Sequence, residues 1–143
     1  LLSGLFVIIQ AVTNVGLIDD ISNAFVNIAG DNLFKIYTIL VWFSVLVSAF
    51  IDNIPYVATM LPVVSGISAQ LGLDPTLLYF GLLAGATLGG NITPVGASAN
   101  IAAGGILKKE GYEISAGQFM RIGVPFTLVA VVAGYVLIWL IYA

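Results

Sequence analysis

Apolar residues run in five blocks long enough to cross or enter a membrane, 5–18, 33–51, 54–73, 77–107 and 119–142, separated by short polar breaks. The pattern predicts an all-α polytopic membrane protein. Residues 2–18 form a first membrane helix whose Gln10, Thr13 and Asn14 suit packing on other helices. Asp19 and Asp20 end it. Within 20–30, Ile21, Phe25 and Ile28 recur three to four residues apart with Ser22, Asn23 and Asn27 between them, the spacing of an amphipathic helix lying in the interface. Gly30, Asp31 and Asn32 make a turn.

Residues 35–71 read as a helical hairpin with its tip at 52–54, because only Asp52, Asn53 and Ile54 separate two helical runs. Pro55 follows, where a helix start tolerates it, and Asp52 or Asn53 serves as the N-cap. Each arm is roughly 25 Å long at 1.5 Å per residue, short of a hydrocarbon core about 30 Å thick, so the hairpin is expected to be re-entrant. After the turn at Gly72, Leu73 and Asp74, the run 76–107 is about 48 Å long as one helix, too long for a modest tilt. It is expected to break over 89–98, where Gly89, Gly90, Pro94 and Gly96 unwind the backbone. Gly81, Gly85 and Gly89 form two GxxxG steps that let another helix approach closely. The last span is 119–142, with Trp139 and Tyr142 as interface anchors.

The composition agrees: 60% of residues are hydrophobic and 8% charged, and the mean hydropathy is +1.12. The net charge of −3 is spread over loops and says little about partners. No cysteine is present, which excludes disulfides and thiolate metal sites, and no histidine, which leaves carboxylates as the proton carriers. The chain opens inside an apolar run at Leu1, without the basic flank of a signal peptide, and reads as part of a longer protein. Lys108, Lys109 and Arg121 fall at one membrane face and only Lys35 at the other, so the 108–121 loop is expected in the cytoplasm and the C-terminus outside.

Asp52 carries the candidate chemistry. No basic side chain lies near it in sequence, and an ionised carboxylate in hydrocarbon costs several kcal/mol without a partner, so a cation or proton is its expected counterpart. A solvated hairpin tip is the alternative. Unwound backbone at membrane depth must be buried in protein or line a cavity, which makes the 89–98 break a second candidate. Asp52, Asn53, Asn91, Thr93, Ser98 and Asn100 together offer oxygen ligands for a hard ion such as sodium. Thr59 adds a hydroxyl one turn past the tip. It either reaches the site or bonds back to its own helix, and some of Asn91, Thr93, Ser98 and Asn100 serve only inter-helix bonding. Ser44 and Ser48 are better explained by packing, the loop carboxylates by solvation, and the Lys108–Lys109 pair as a topology signal. An intramembrane aspartyl protease would need two facing carboxylates, and a non-transporting assembly subunit would need no mid-membrane breaks.

The segments Ser48-Ala49-Phe50-Ile51-Asp52-Asn53-Ile54-Pro55-Tyr56-Val57-Ala58-Thr59-Met60-Leu61-Pro62 and Gly89-Gly90-Asn91-Ile92-Thr93-Pro94-Val95-Gly96-Ala97-Ser98-Ala99-Asn100 resemble the paired signatures of the ion transporter superfamily. The similarity is to its citrate-transporter-like branch of arsenite-efflux, NhaD-type sodium/proton antiporter and P-protein-like permeases, over essentially the whole chain as a C-terminal half. The resemblance implies two inverted repeats, each with a re-entrant hairpin and an unwound helix, around a midplane site worked by alternating access. The family's dicarboxylate symporters carry a Ser-Asn-Thr type motif at the hairpin tip; Asp52-Asn53-Ile54-Pro55 stands there instead, which favours a cation-exchanging site over carboxylate transport. Expected partners are membrane lipid, the N-terminal half of the same protein, a small ion and a second copy; nucleic acid is not expected. Sodium or a proton is the coupling ion, with no other cofactor. The expected location is a prokaryotic inner membrane.

Overall fold

The computed structural model describes residues 4, 7, 10, 11, 13–30 and 32–143. Of the expected first span, residues 4, 7, 10, 11, 13 and 14 are helical; the rest of it up to residue 12, and Asp31 of the expected turn, lie outside the described residues. Six helices follow: α1 Leu17–Ala29, α2 Leu33–Ser48, α3 Asn53–Leu71, α4 Thr76–Gly89, α5 Ser98–Lys109 and α6 Ala116–Tyr142. No strand occurs among the described residues. α3 and α6 are long and apolar enough to cross a membrane, while α2 and α4 are shorter apolar helices.

The chain turns at Gly16, whose φ of 76° suits glycine, and not at Asp19 and Asp20. Both carboxylates instead occupy the first turn of α1, where the positive end of the helix favours them. The buried face of α1 is Ile18, Ser22, Phe25 and Ala29; of the expected stripe, Phe25 is buried, Ile21 partly buried and Ile28 exposed. Ser22 decides this. Its hydroxyl bonds the Ile18 and Val63 carbonyls at 2.8 and 3.2 Å, and Gly66 leaves the room that brings α1 onto α3.

The core is the contact of α2 with α4. A methyl group at Gly81 would meet the Tyr37 ring at 2.6 Å, at Gly85 the Val41 carbonyl oxygen at 2.5 Å, and at Gly89 the Val45 carbonyl oxygen at 2.5 Å. Each pair is 44 residues apart, as are Thr93 and Ala49, whose side chain and carbonyl are hydrogen-bonded. A constant offset over four successive turns means that the two helices run parallel, backbone against backbone. Around this seam Leu40, Val63, Val64, Ile67, Leu78 and Leu82 are wholly buried.

α3 returns between them, tied to α2 by the buried Ser44–Tyr56 hydroxyl pair at 3.0 Å. α6 begins with a Ser115–Gln118 capping box and runs antiparallel to α4, Gly123 lying against Asn91, Gly134 against Leu88 and Ala84, and the Tyr142 ring stacked on Phe80. The Tyr37 hydroxyl donates to the Tyr135 carbonyl at 2.9 Å and its ring stacks on Tyr135 at 4.9 Å, locking α2 to α6. α5 stands apart with no buried residue.

Candidate functional site at two facing helix breaks

The parallel seam brings the α2–α3 joint and the α4–α5 joint to one level. In the first, the helix stops at Ser48 and restarts at Asn53; in the second, residues 90–97 are unwound between Gly89 and Ser98. Gly96 is wedged between them. A methyl there would meet the Gly90, Ala49 and Ser48 carbonyl oxygens at 2.6, 2.8 and 3.0 Å, so only glycine lets the loop lie against the hairpin tip.

Asp52 is the N-cap of α3, its Oδ1 accepting the Ile54 N–H at 3.3 Å. Its Oδ2 accepts the Ser98 N–H, the first residue of α5, at 3.0 Å. One carboxylate therefore joins the positive ends of two helices. This answers how the chain carries a charge with no basic neighbour: backbone donors and helix dipoles offset it in place of a side-chain cation. An ionised carboxylate accepts at about four positions, so room remains for a cation or proton.

Of the sequence candidates, Thr93 donates its hydroxyl to the Ala49 carbonyl and accepts the Val95 N–H at 3.3 Å, tying loop to tip. The Asn100 amide donates to the Gly90 and Thr93 carbonyls at 2.9 and 3.1 Å, holding the unwound segment from the α5 side. Asp52 with Ser98, and Thr93 with Asn100, thus form two hydrogen-bonded pairs at the facing breaks. Asn53, the first residue of α3, makes no side-chain hydrogen bond among the described residues, nor does Asn91. Asn91 lines a different space, a groove of about 670 Å³ bounded by Leu107, Tyr112, Phe119, Ile122 and Phe126. Thr59 bonds back to the Pro55 carbonyl at 2.9 Å. Pro55 lies in the first turn of α3 and Pro94 in the unwound loop.

Two participants escaped the sequence reading. The Ala49 and Ala86 carbonyls act through the backbone, which leaves no residue-type signal; Ala86 accepts the Ser48 hydroxyl at 2.5 Å. Elsewhere the hydroxyls of Ser68 and Thr127 are buried without a hydrogen-bond partner among the described residues. Among the described residues no cluster of three or more carboxylates could hold a metal ion.

Comparison with known proteins identifies the family. The citrate transporter family matches residues 1–143. An uncharacterized transporter of Mycobacterium tuberculosis is 36% identical over 142 residues, covering 98% of this chain and 33% of the relative. The 46 kDa membrane protein of Mycobacterium leprae is 35% identical over the same length, with 98% and 33% covered. The human P protein is 36% identical over 139 residues, 92% of this chain and 17% of that protein. No solved structure matches the chain. The chain spans about a third of the mycobacterial relatives. It is an integral membrane chain, and it belongs to the citrate transporter family.

Proposed function

We propose that this chain forms one repeat of a secondary transporter that couples to, or exchanges, sodium or protons at Asp52, the remainder of the site coming from the rest of a longer protein. The observation that carries the reading is the junction of two helix breaks on one carboxylate, the Asp52 Oδ2 to Ser98 N–H bond at 3.0 Å. Broken helices concentrate helix ends and unpaired carbonyls at one depth, which is how membrane proteins make ion sites from backbone. Phe50, Ile51 and Ile54 beside Asp52 are 70%, 50% and 59% exposed. Such an apolar tip suits burial against further protein or lipid, and supports a re-entrant hairpin over a water-facing loop. The uncovered faces of α5 and α6 suit lipid and the other repeat in the same way.

In this reading the hairpin enters from outside, the 108–121 loop is cytoplasmic, and a site at the membrane midplane alternates its access. Sodium or a proton engages the free lone pairs of Asp52. The test is sodium- or lithium-driven proton flux in vesicles holding the full-length protein. Asp52→Asn is expected to abolish that flux; unchanged flux overturns the assignment.

A second reading, a sodium-coupled permease for citrate, another carboxylate or arsenite, is favoured by the same geometry seen from the donor side. Two helix N-termini converging on one carboxylate are the arrangement that also binds an anionic substrate. Sodium-dependent anion uptake that survives Asp52→Asn establishes this second reading. Absence of ion binding to the purified full-length protein points instead to an assembly subunit.

A further inference from the structure

We propose a second cation subsite on the opposite side of the unwound loop, in which the Thr127 hydroxyl joins the Asn91 and Ile92 carbonyls and the Asn91 side chain to bind a small, hard monovalent cation. The inference rests on the reading of the chain as a cation-coupled transporter, but it concerns atoms that the Asp52 network does not use.

Two buried helical hydroxyls, Ser68 and Thr127, have no hydrogen-bond partner among the described residues, and Thr127 is the one beside the unwound loop. Ser22, Thr38, Ser44 and Thr59 each sit in a helix and bond back to the carbonyl four residues earlier, at 2.6–2.9 Å. Thr127 does not use the Gly123 carbonyl, and its wholly buried hydroxyl has no partner among the described residues. A buried orphan hydroxyl is costly. Gly123, one turn earlier on the same face, lies so close to the unwound loop that a methyl there would meet the Asn91 carbonyl oxygen at 2.5 Å and the Ile92 carbonyl oxygen at 3.3 Å. Neither carbonyl accepts a hydrogen bond among the described residues. Because α6 runs antiparallel to α4, Thr127 lies beside the last turn of α4, the negative end of that helix. Carbonyl, amide and hydroxyl oxygens around a helix C-terminus suit sodium or lithium and no soft metal. Asn91 and Gly123 both border the 670 Å³ groove, which Tyr112 and Gln118 also line.

The test is the thermal midpoint of the purified full-length protein, titrated with sodium chloride at constant ionic strength against choline chloride. Thr127→Val is expected to weaken sodium binding at least tenfold, and Thr127→Ser to remain within threefold of the parent. If the hydroxyl is only a packing defect, Thr127→Val raises the midpoint without sodium and leaves the sodium titration unchanged, which overturns the subsite and leaves Asp52 untouched. Should Thr127→Val fail to fold, Thr127→Ala against Thr127→Ser gives the same contrast. A parent protein indifferent to sodium and lithium overturns the subsite together with sodium coupling, whereas a sodium shift that persists in Asp52→Asn and vanishes in Thr127→Val supports the subsite independently.

Discussion

The Asp52 carboxylate and the Ser98 amide are 46 residues apart in sequence and 3.0 Å apart in space. The bond closes the gap between hairpin tip and unwound loop, so it holds α5 in place as well as the tip. In the full-length protein, Asp52→Ala is expected to raise amide hydrogen exchange over 98–102 at least tenfold and to cost about 0.5–2 kcal/mol, the usual worth of an N-cap. Asp52→Asn, which can still accept one bond, should fall between. Exchange unchanged in both variants would show that the tie carries no load.

The α2–α4 seam makes a sharp contrast among glycines. Gly89→Ala drives a methyl into the Val45 backbone, whereas Gly104→Ala meets nothing within 4 Å. The first is expected to lower the thermal midpoint by several degrees. The second should be neutral or stabilising by up to about 1 kcal/mol, since alanine is the better helix former. Equal midpoints for the two variants would contradict the parallel seam.

Asn100 bridges two carbonyls of the unwound loop, Gly90 and Thr93. Asn100→Leu removes both donors, and a loss of about 1–3 kcal/mol is expected from the two unmade bonds. Asn100→Asp, which keeps the shape but loses the amide donors, should behave almost as badly at neutral pH. A chemical denaturation series on the two variants decides it; an Asp variant as stable as the parent would mean that shape alone matters.

Asp74, in the turn ahead of α4, faces Thr76, whose side-chain hydroxyl first and whose N–H, donating at 2.8 Å, second hold its carboxyl below the usual value of 3.8. A carboxyl depressed in the folded state adds stability at pH above its unfolded value, and that stability is lost as pH falls through the folded one. The midpoint difference between parent and Asp74→Asn is therefore expected to be constant from pH 5 to 8 and to close below pH 3.8. A difference that widens on acidification would reverse the sign.

Much of this was legible because membrane helices announce themselves by apolar length, and because Asp52, Pro55, Gly89, Gly90, Pro94 and Gly96 break them by local chemistry. The joints could be located because proline and glycine act on their own backbone. The partner of Asp52 could not be read: it is the backbone N–H of Ser98, which every residue but proline possesses, brought near by topology alone. That Ser22 joins Phe25 on the buried face of α1 while Ile28 stays exposed could not be read for a similar reason, since the Ser22 bond to Val63 and the space at Gly66 are properties of a pair of helices. Thr127 gave no signal, a lone threonine in an apolar span looking like any other until its hydroxyl is seen without a partner.

The constant 44-residue offset between α2 and α4 has a mechanical consequence. A seam keyed by glycines against carbonyls at every turn has no soft direction of sliding: a shift of one residue would bring side chains onto positions where a single methyl already collides. Hairpin tip and unwound loop therefore travel as one piece. Under the alternating access proposed above, the pivot lies outside this unit, which carries Asp52 and Ser98 together.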